Sequence, residues 1–273
     1  MLNQKERINE VMSRLQDYAK IPNGIFTSNE IYRTFKDYGI TSNLAGKPLE
    51  EETKQQILFK LNQKENEGKC WIGSGSLSDE WQFFDTNIPR DGRKPNYEWK
   101  VYIPINPAYY GFVAPAVINF LCDNGIVSHS KISGSIRSDS MVINLENEED
   151  VTKLNGYISK NKVVSSCLGV HQPFIPDFDG IGVVHTFDDD TSYTERLSNY
   201  LTKFLNYCKA QNRLDWISVD GFLASMQNSL NNNMVQHPEE IKQIIEHMNV
   251  ILNDAIFLMK AKNTKQNEEC KCN

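Results

Sequence analysis

The chain has 273 residues, of which 40% are hydrophobic, so it can bury a core as one large domain or as two modest ones. Its formal net charge of −6 argues against sequence-independent binding of nucleic acid, because that affinity comes from neutralising phosphates with Lys and Arg. No apolar run approaches the roughly 20 residues that span a bilayer, and residues 1–10 are charged rather than typical of a secretion signal. We therefore predict a soluble, cytoplasmic protein with no nucleic-acid or membrane partner.

Metal and cofactor chemistry find little support in the sequence. The six cysteines include no C-x-x-C pair, which argues against zinc, and a cytoplasmic chain of this size does not need disulfides. The acidic run Asp188–Asp190, with Glu195 nearby, has ligands that suit a divalent cation, but capping of the next helix explains it more simply. The loop Gly73–Ser76 lacks the GK[ST] ending of a phosphate-binding loop. We predict neither a bound metal nor a cofactor.

The amino-terminal third of the chain is predicted to be a helical lobe. Apolar residues recur at helical spacing over Asn3–Tyr18, a capping box begins a short helix at Thr27, and acidic residues begin a third helix over Leu49–Glu65. The segment Gly68–Asn96 breaks this pattern with Gly, Ser and Pro, which is typical of a boundary. The predicted domains are a helical lobe at 1–94, an α+β core with carboxyl-terminal helices at 95–265, and a disordered tail at 266–273.

The core is predicted to alternate short strands with helices. Period-two alternation predicts a strand at Trp99–Ile105, and an apolar helix begins at Pro107. Further strands are predicted at Ile126–Ile132, Ser140–Leu145 and Gly180–Phe187, and amphipathic helices follow at the carboxyl end. These elements predict an α+β fold with a helical amino-terminal lobe, a mixed or antiparallel sheet of about four to five strands backed by helices, and a helical carboxyl terminus.

Three cations are predicted to lie at or beside strand ends. Lys100 is on the polar face of the first strand, Lys131 lies near the end of the next predicted strand, and Arg137 lies between that strand and the one after it. Three positive charges around one sheet repel each other unless an anion lies among them, and a phosphate is the natural candidate. A Lys that is desolvated beside an Arg has a lowered pKa and can act as a base near neutral pH. The alternative is that all three are solvated surface residues.

Histidine supplies the usual proton donor, and the chain has five. His185 lies near the carboxyl end of an apolar strand and His171 lies in a loop, so either could reach a site at the strand ends. The alternative is a structural role, because a His within a strand is often a core residue whose hydrogen bonds are satisfied. His237 and His247 belong to the terminal helix and are predicted to be structural.

A series of short motifs between residues 97 and 210 follows the order found in a known family. They are the strand Lys100-Val101-Tyr102-Ile103, the helix start Pro107-Ala108-Tyr109-Tyr110, Arg137-Ser138-Asp139, the helix start Glu148-Glu149-Asp150, Pro173-Phe174, Gly180-Ile181-Gly182 and Ser192-Tyr193. In this order they resemble the HopA family of type III secreted effectors. Relatives of that family act as the lyase component of class V lanthipeptide synthetases, and the family is more distantly similar to phosphothreonine lyases.

The similarity to phosphothreonine lyases implies roles for several cations. In those enzymes a Lys removes the α-proton of the phosphorylated residue, an acid assists the leaving phosphate, and Arg holds it. Matched by position, Lys131 is the expected base and Arg137 an expected phosphate ligand. Lys100, which matches a Lys at the start of the first strand, and Arg196 are further candidates for binding phosphate.

Two positions depart from the lyase pattern. The lyases carry a His two positions after the first Lys, where this chain has Tyr102, and Ile175 follows Pro-Phe where a Thr is expected. The proton donor is therefore open among Tyr102, His171 and His185.

The predicted function is β-elimination of phosphate from phosphoserine or phosphothreonine in a peptide or protein, as in lanthipeptide-type dehydration or by an effector-type phospholyase. This chemistry needs a base at the α-carbon and neutralisation of the leaving dianion. The expected partners are the phosphorylated substrate and a kinase or synthetase, and secretion as an effector is the alternative to a cytoplasmic location. The rival prediction is a non-catalytic module that binds a phosphorylated or phosphopantetheine-like ligand or a partner protein. A transferase with an anionic cofactor is a third.

Overall fold

A computed structural model describes residues 3–21, 24–78, 80–89, 93–186, 192–232 and 237–253. The strands are β1 Cys70–Gly75, β2 Trp81–Thr86, β3 Trp99–Ile103, β4 Ser128–Ser133, β5 Met141–Leu145, β6 Asp177–Phe178 and β7 Ile181–His185. The helices are α1 Gln4–Ala19, α2 Ser28–Lys36, α3 Glu51–Asn66, α4 Tyr110–Asp123, α5 Glu148–Lys160, α6 Lys162–Ser166, α7 Tyr193–Ala210, α8 Val219–Asn231 and α9 Pro238–Leu252. The acidic run Asp188–Asp190 and the predicted tail at 266–273 lie outside the described residues.

The chain forms two compact units. One, the sheet unit, comprises residues 32–193, and the other, the helical unit, comprises residues 1–31 together with 194–273. This division differs from the boundary predicted between residues 94 and 95. The physical reason is that β1 and β2, which precede that boundary, pair into the same sheet as β4. The amino-terminal helix α1 instead contacts α8 and α9 of the helical unit.

The sheet unit contains one antiparallel sheet with the strand order β1-β2-β4-β5-β3-β7-β6. The predicted α+β class is confirmed, and the sheet has two more strands at its β1 edge than the sequence pattern indicated. These two strands escape the pattern for physical reasons. In β2 the inward positions include the polar residues Gln82 and Thr86, so hydrophobicity does not alternate with burial. In β1, Gly73 and Gly75 weaken the strand signal.

The two faces of the sheet differ in composition. Val101, Ile143 and Ile132 belong to what we call the buried face, where each of these side chains is fully buried. Their neighbours along each strand point the other way, onto what we call the open face. Lys100 and Lys131 lie there and are only half-buried. Helices α3 and α5 contact strands of this sheet, so the unit is built as helices packed on an antiparallel sheet.

The helical unit is held together by apolar contacts and a few specific hydrogen bonds. Ile8, Val11 and Leu15 of α1 are buried, as the helical spacing predicts. The amide of Asn206 in α7 donates to the carbonyl of Phe26 and accepts from its N–H, both at 2.9 Å, which fixes the chain before α2. In the part of the chain that the structure describes, no helix has both the length and the apolar character needed to cross a bilayer.

Candidate functional site

Three of the predicted site residues lie on the open face of the sheet. Lys131 in β4 is opposite Val142 in β5, and Val142 is opposite Tyr102 in β3. The side chains of Lys131, Val142 and Tyr102 therefore form one row across the strands. Lys100 precedes Tyr102 by two residues and therefore shares this face. Adjacent strands lie about 4.8 Å apart, so the row from Lys131 to Tyr102 spans about 10 Å at the backbone. Val142 and Tyr102 are buried, so the half-buried Lys131 is the accessible end of the row.

Lys131 and Arg137 both contact the indole ring of Trp81 in β2. The Nζ atom of Lys131 lies 4.1 Å from the ring centroid, and the guanidinium carbon of Arg137 lies 4.3 Å from it. Both distances are those of cation–π contacts. Because both cations touch one ring, they cannot be further apart than the sum of these two distances.

Arg137 is completely buried, and carboxylates balance its charge. Asp139 accepts hydrogen bonds from Nε and, at 2.9 Å, from Nη2; the hydroxyl of Tyr32 accepts from Nη2 at 2.8 Å, and Glu80 accepts from Nη1 at 2.8 Å. These contacts use four of the five N–H donors that an Arg side chain has. Burial alone would lower the pKa of the guanidinium, but the adjacent Asp139 carboxylate raises it.

The two carboxylates that hold Arg137 differ in their exposure to solvent. The side chain of Asp139 is 5% exposed, whereas that of Glu80 is 61% exposed. An exposed partner makes a weak ion pair, because water competes for both charges. The Nη1 edge of Arg137 is therefore the edge at which another anion can replace a carboxylate.

We call the surroundings of Arg137, with Asp139, Glu80 and Tyr32, the Arg137 corner. Two acidic groups in or beside this corner show how poorly it is solvated. Burial raises the pKa of the Tyr32 phenol to about 12, and the negative charge of Asp139 adds to the effect. Burial also raises the pKa of the Asp37 carboxyl, against the lowering effect of the Lys36 charge. Charges in such surroundings interact more strongly than they do in water.

The open face also carries a histidine–carboxylate pair that the sequence analysis does not single out. The Nδ1 atom of His129 in β4 lies 2.6 Å from a carboxylate oxygen of Asp85 in β2. The imidazole is stacked on Phe83, with ring centroids 6.0 Å apart. The sequence could have indicated His129, because it precedes Lys131 by two residues in a predicted strand and therefore lies on the same face as Lys131. The pairing with Asp85 requires β2, which the pattern did not predict.

A second histidine–carboxylate pair lies near the Tyr102 end of the row. Asp177 in β6 is opposite Gly182 in β7, and Gly182 is opposite Tyr102. The Nε2 atom of His171 lies 2.9 Å from a carboxylate oxygen of Asp177, without the alignment of a hydrogen bond. Its Nδ1 atom lies 2.9 Å from the carbonyl oxygen of Gln172. His171 is thus placed near the site, but it is buried among protein groups.

Ile175 covers this end of the open face. A Cβ atom on Gly182 would lie 2.7 Å from Cγ2 of Ile175 and 3.4 Å from Cβ of Tyr102. Only glycine therefore allows the segment before β6 to pack so closely on β7. Both Ile175 and Tyr102 are buried, so the open face is closed at the Tyr102 end and accessible at the end that carries Lys100, Lys131 and His129.

Of the other two predicted residues, His185 does not share this row, and Arg196 belongs to the helical unit. His185 is opposite Trp99, and Lys100 is opposite Val184, so His185 lies on the buried-face side of the sheet, where it is 4.0 Å from Glu98. Arg196 belongs to α7 of the helical unit, where Nε lies 3.8 Å from a carboxylate oxygen of Glu240. Among the described residues, no group of three His, Cys, Asp or Glu side chains is arranged to hold a metal ion.

The fold is similar to that of two solved bacterial structures. One is described as the structure of the effector protein from Pseudomonas syringae pv. tomato strain DC3000, with a TM-score of 0.56 and 13% identity over 84% of this chain and 95% of that chain. The other is the effector protein from Pseudomonas syringae pv. syringae strain 61, with a TM-score of 0.51 and 15% identity over 78% of this chain and 92% of that chain. No family model and no curated protein matches the sequence. At these identities the likeness concerns the fold.

Proposed function

We propose that the chain is an effector-type carbon–oxygen lyase that eliminates phosphate from phosphoserine or phosphothreonine in a peptide or protein. The observation that carries this proposal is the contact of both Lys131 and Arg137 with the Trp81 ring, with Lys100 on the same face of the sheet. A basic group and a phosphate-binding cation are the two requirements of the reaction.

In the proposed reaction, Lys131 acts as the base. Its neutral amine takes the proton from the α-carbon of the phosphorylated residue, and the electron pair of that C–H bond forms the double bond between the α- and β-carbons. The bond between the β-carbon and the phosphate oxygen breaks at the same time, so phosphate leaves with the bonding electrons. The Nζ atom that takes this proton lies 4.1 Å from the centroid of the Trp81 ring and 5.9 Å from that of Phe83.

The leaving phosphate is neutralised by Lys100 and by the Nη1 edge of Arg137 in this proposal. Arg137 is bound to Asp139 on its buried side, so its orientation is fixed before substrate arrives. The phosphate takes the position of the Glu80 carboxylate, which is the exposed partner. Preorganised donors of this kind stabilise developing negative charge without reorganisation during the reaction.

Two further observations support an effector-type lyase. The structural neighbours are named effector proteins, and their fold covers most of this chain. The motifs that resemble the HopA family include Lys100, which lies on the open face, and Arg137, which contacts the Trp81 ring. A role in lanthipeptide-type dehydration, with a kinase or synthetase as the partner that supplies the phosphorylated residue, is the second setting for the same reaction.

Mass spectrometry of phosphoserine and phosphothreonine peptides tests the proposal. Elimination removes phosphoric acid and leaves a dehydroamino acid that a thiol reagent traps, whereas a phosphatase leaves a hydroxyl group that does not react. We expect the wild-type chain to give the thiol adduct and Lys131→Met to lower kcat/KM by about 10²–10⁴-fold. Lys203→Met is the matched control, because Lys203 also lies over an aromatic ring, that of Tyr200, but belongs to α7. A wild-type chain that leaves every phosphopeptide unchanged contradicts the proposal.

A non-catalytic phosphate-binding module is the second candidate. Two observations favour it. The donors of Arg137 are largely occupied by Asp139, Glu80 and Tyr32, and Tyr102 stands where the lyases carry a His. Isothermal titration with the same peptides separates the two. Binding of the phosphorylated form, lost in Lys131→Met and not accompanied by any thiol-trapped product, would establish the module in place of the lyase.

A further inference from the structure

We infer that His129 is the general acid that protonates the leaving phosphate, with Asp85 as its positioning residue. This assignment rests on the proposed lyase function and supplies the proton donor that the sequence left open among Tyr102, His171 and His185. The step is balanced: as the bond between the β-carbon and oxygen breaks, the Nε2–H proton of the His129 imidazolium passes to the phosphate oxygen. Lys131 holds the α-proton, and both residues return to their starting states by proton exchange with water.

The position of His129 suits this role because it is a near neighbour of the proposed base. Both residues belong to β4, two positions apart on the open face, so their Cα atoms are about 6.5 Å apart. Both side chains contact the Phe83 ring, His129 by stacking and Lys131 with Nζ 5.9 Å from its centroid. Two side chains at neighbouring positions on one strand face can approach the same substrate residue.

Asp85 determines which nitrogen of His129 carries the transferable proton. Its carboxylate lies 2.6 Å from Nδ1, so Nδ1–H donates to Asp85 and Nε2 is the nitrogen that faces away from this contact. A carboxylate bound to Nδ1 fixes the orientation of the ring before transfer. The side chain of His129 is 43% exposed, so Nε2 can reach a substrate and can be reprotonated by water.

The other three candidates are less suited to donate a proton to a ligand on this face. Tyr102 is buried beneath Ile175, and His171 has both ring nitrogens against protein groups. His185 lies on the opposite side of the sheet. His129 has a carboxylate partner, an exposed ring and a position on the same face as Lys131.

The test compares two leaving groups that differ in their need for a proton. Phosphate leaves as a strongly basic anion, whereas sulfate of the same tetrahedral shape leaves without protonation. We expect His129→Gln to lower kcat/KM for a phosphoserine peptide by about 10²–10⁴-fold and for the matching O-sulfoserine peptide by less than about tenfold. Asp85→Asn should show the same pattern with a smaller loss, and Lys131→Met should lose activity on both peptides.

His185→Gln is the matched control, because His185 is exposed to a similar degree, 45% against 43%, and also lies near a carboxylate. It should leave both rates unchanged. Equal losses of His129→Gln on the phosphorylated and sulfated peptides, or no loss on either, would overturn the assignment while leaving the lyase intact. If His129→Gln does not fold, the ratio of the two rates in Asp85→Asn decides. A wild-type chain that eliminates neither group removes the proposed function and this assignment together.

Discussion

The two faces of the central sheet use adjacent residues of the same strands for different purposes. In β5, Ile143 is fully buried among apolar side chains, whereas the next residue, Asn144, is half-buried and donates to the backbone carbonyl of His129. In β3, Val101 and Lys100 differ in the same way. The buried face supplies stability, and the open face presents charge to solvent. Substitutions on the two faces should therefore have separable effects.

The corner around Arg137 breaks this simple division. It adjoins the open face through Trp81, yet the Arg137 side chain is completely buried. Its charge is compensated by Asp139 at one edge and by Glu80 at the other. Charge on the accessible part of the face can thus serve binding at little cost to stability. The charge of Arg137 contributes to both binding and stability.

The largest effect on stability is expected from Arg137→Met. The substitution leaves the buried carboxylate of Asp139 without its cation, and breaking one side of a buried pair costs about 3–5 kcal/mol. Chemical denaturation at neutral pH measures the free energy of unfolding. Arg93→Met is the matched control, because Arg93 forms a comparable two-pronged pair with Glu146 but its side chain is 52% exposed. That control should lose less than about 1 kcal/mol.

A double variant sharpens the interpretation of Arg137. If the loss comes from an uncompensated carboxylate, Arg137→Met combined with Asp139→Leu should recover much of the stability, because both charges are then absent. A double variant that is no more stable than Arg137→Met alone would show instead that the shape of the guanidinium, packed on Trp81, is what matters.

The comparison between the faces is tested directly by neighbouring positions in β5. Ile143→Ala removes a fully buried side chain and should cost about 2–5 kcal/mol. Asn144→Ala removes one hydrogen bond, of 2.8 Å to His129, and should cost about 1 kcal/mol. Thermal and chemical unfolding of the pair measure both values. Equal costs at the two positions would contradict the assignment of one face to stability.

The sequence predicted most of this arrangement, and its failures have physical causes. Alternation identified β3, β4, β5 and the strand that contains His185, because their buried residues are apolar. It missed β2, whose inward side chains include Gln82 and Thr86, and therefore missed Asp85 and Trp81 as well. Strand order and register depend on pairing between distant segments, which no local pattern specifies.

The candidate site shows the same limit. That Lys131 and His129 share a face follows from their spacing in one strand. That Arg137 is buried does not follow from its surroundings in sequence, because its partners Glu80 and Tyr32 lie 57 and 105 residues away. A charged residue beside a strand end is usually solvated, so only the folded chain reveals that these partners enclose it.

A smaller effect is expected from Glu80→Gln, which tests whether the Nη1 edge of Arg137 accepts an anion. Removing the exposed carboxylate should strengthen binding of a phosphopeptide by about 1.4- to fivefold, the factor equivalent to the 0.2–1 kcal/mol of an exposed ion pair. Isothermal titration measures the Kd. Glu98→Gln makes the same charge change beside His185 and should leave the Kd unaltered. Weaker or equal binding in Glu80→Gln would indicate that phosphate does not reach Arg137.

The smallest effect is expected from Asp37, and its sign depends on pH. Burial raises the pKa of this carboxyl in the folded chain, so between its unfolded and folded pKa values the unfolded chain releases a proton that the folded chain retains. Stability is therefore lost as pH rises through this window, which begins near the ordinary aspartate pKa of about 3.9.

Asp37→Asn removes this titration and should raise the midpoint of thermal unfolding at pH 7 by up to about 3 °C. Below about pH 3.5 we expect no gain, because the Asp37 carboxyl is then mostly protonated in the folded and in the unfolded wild-type chain. Thermal unfolding of the two chains across this pH range measures the difference. A variant that is less stable at pH 7 would mean that attraction to Arg137 outweighs the cost of burying the Asp37 charge. The corner would then be held together by its carboxylates rather than strained by them.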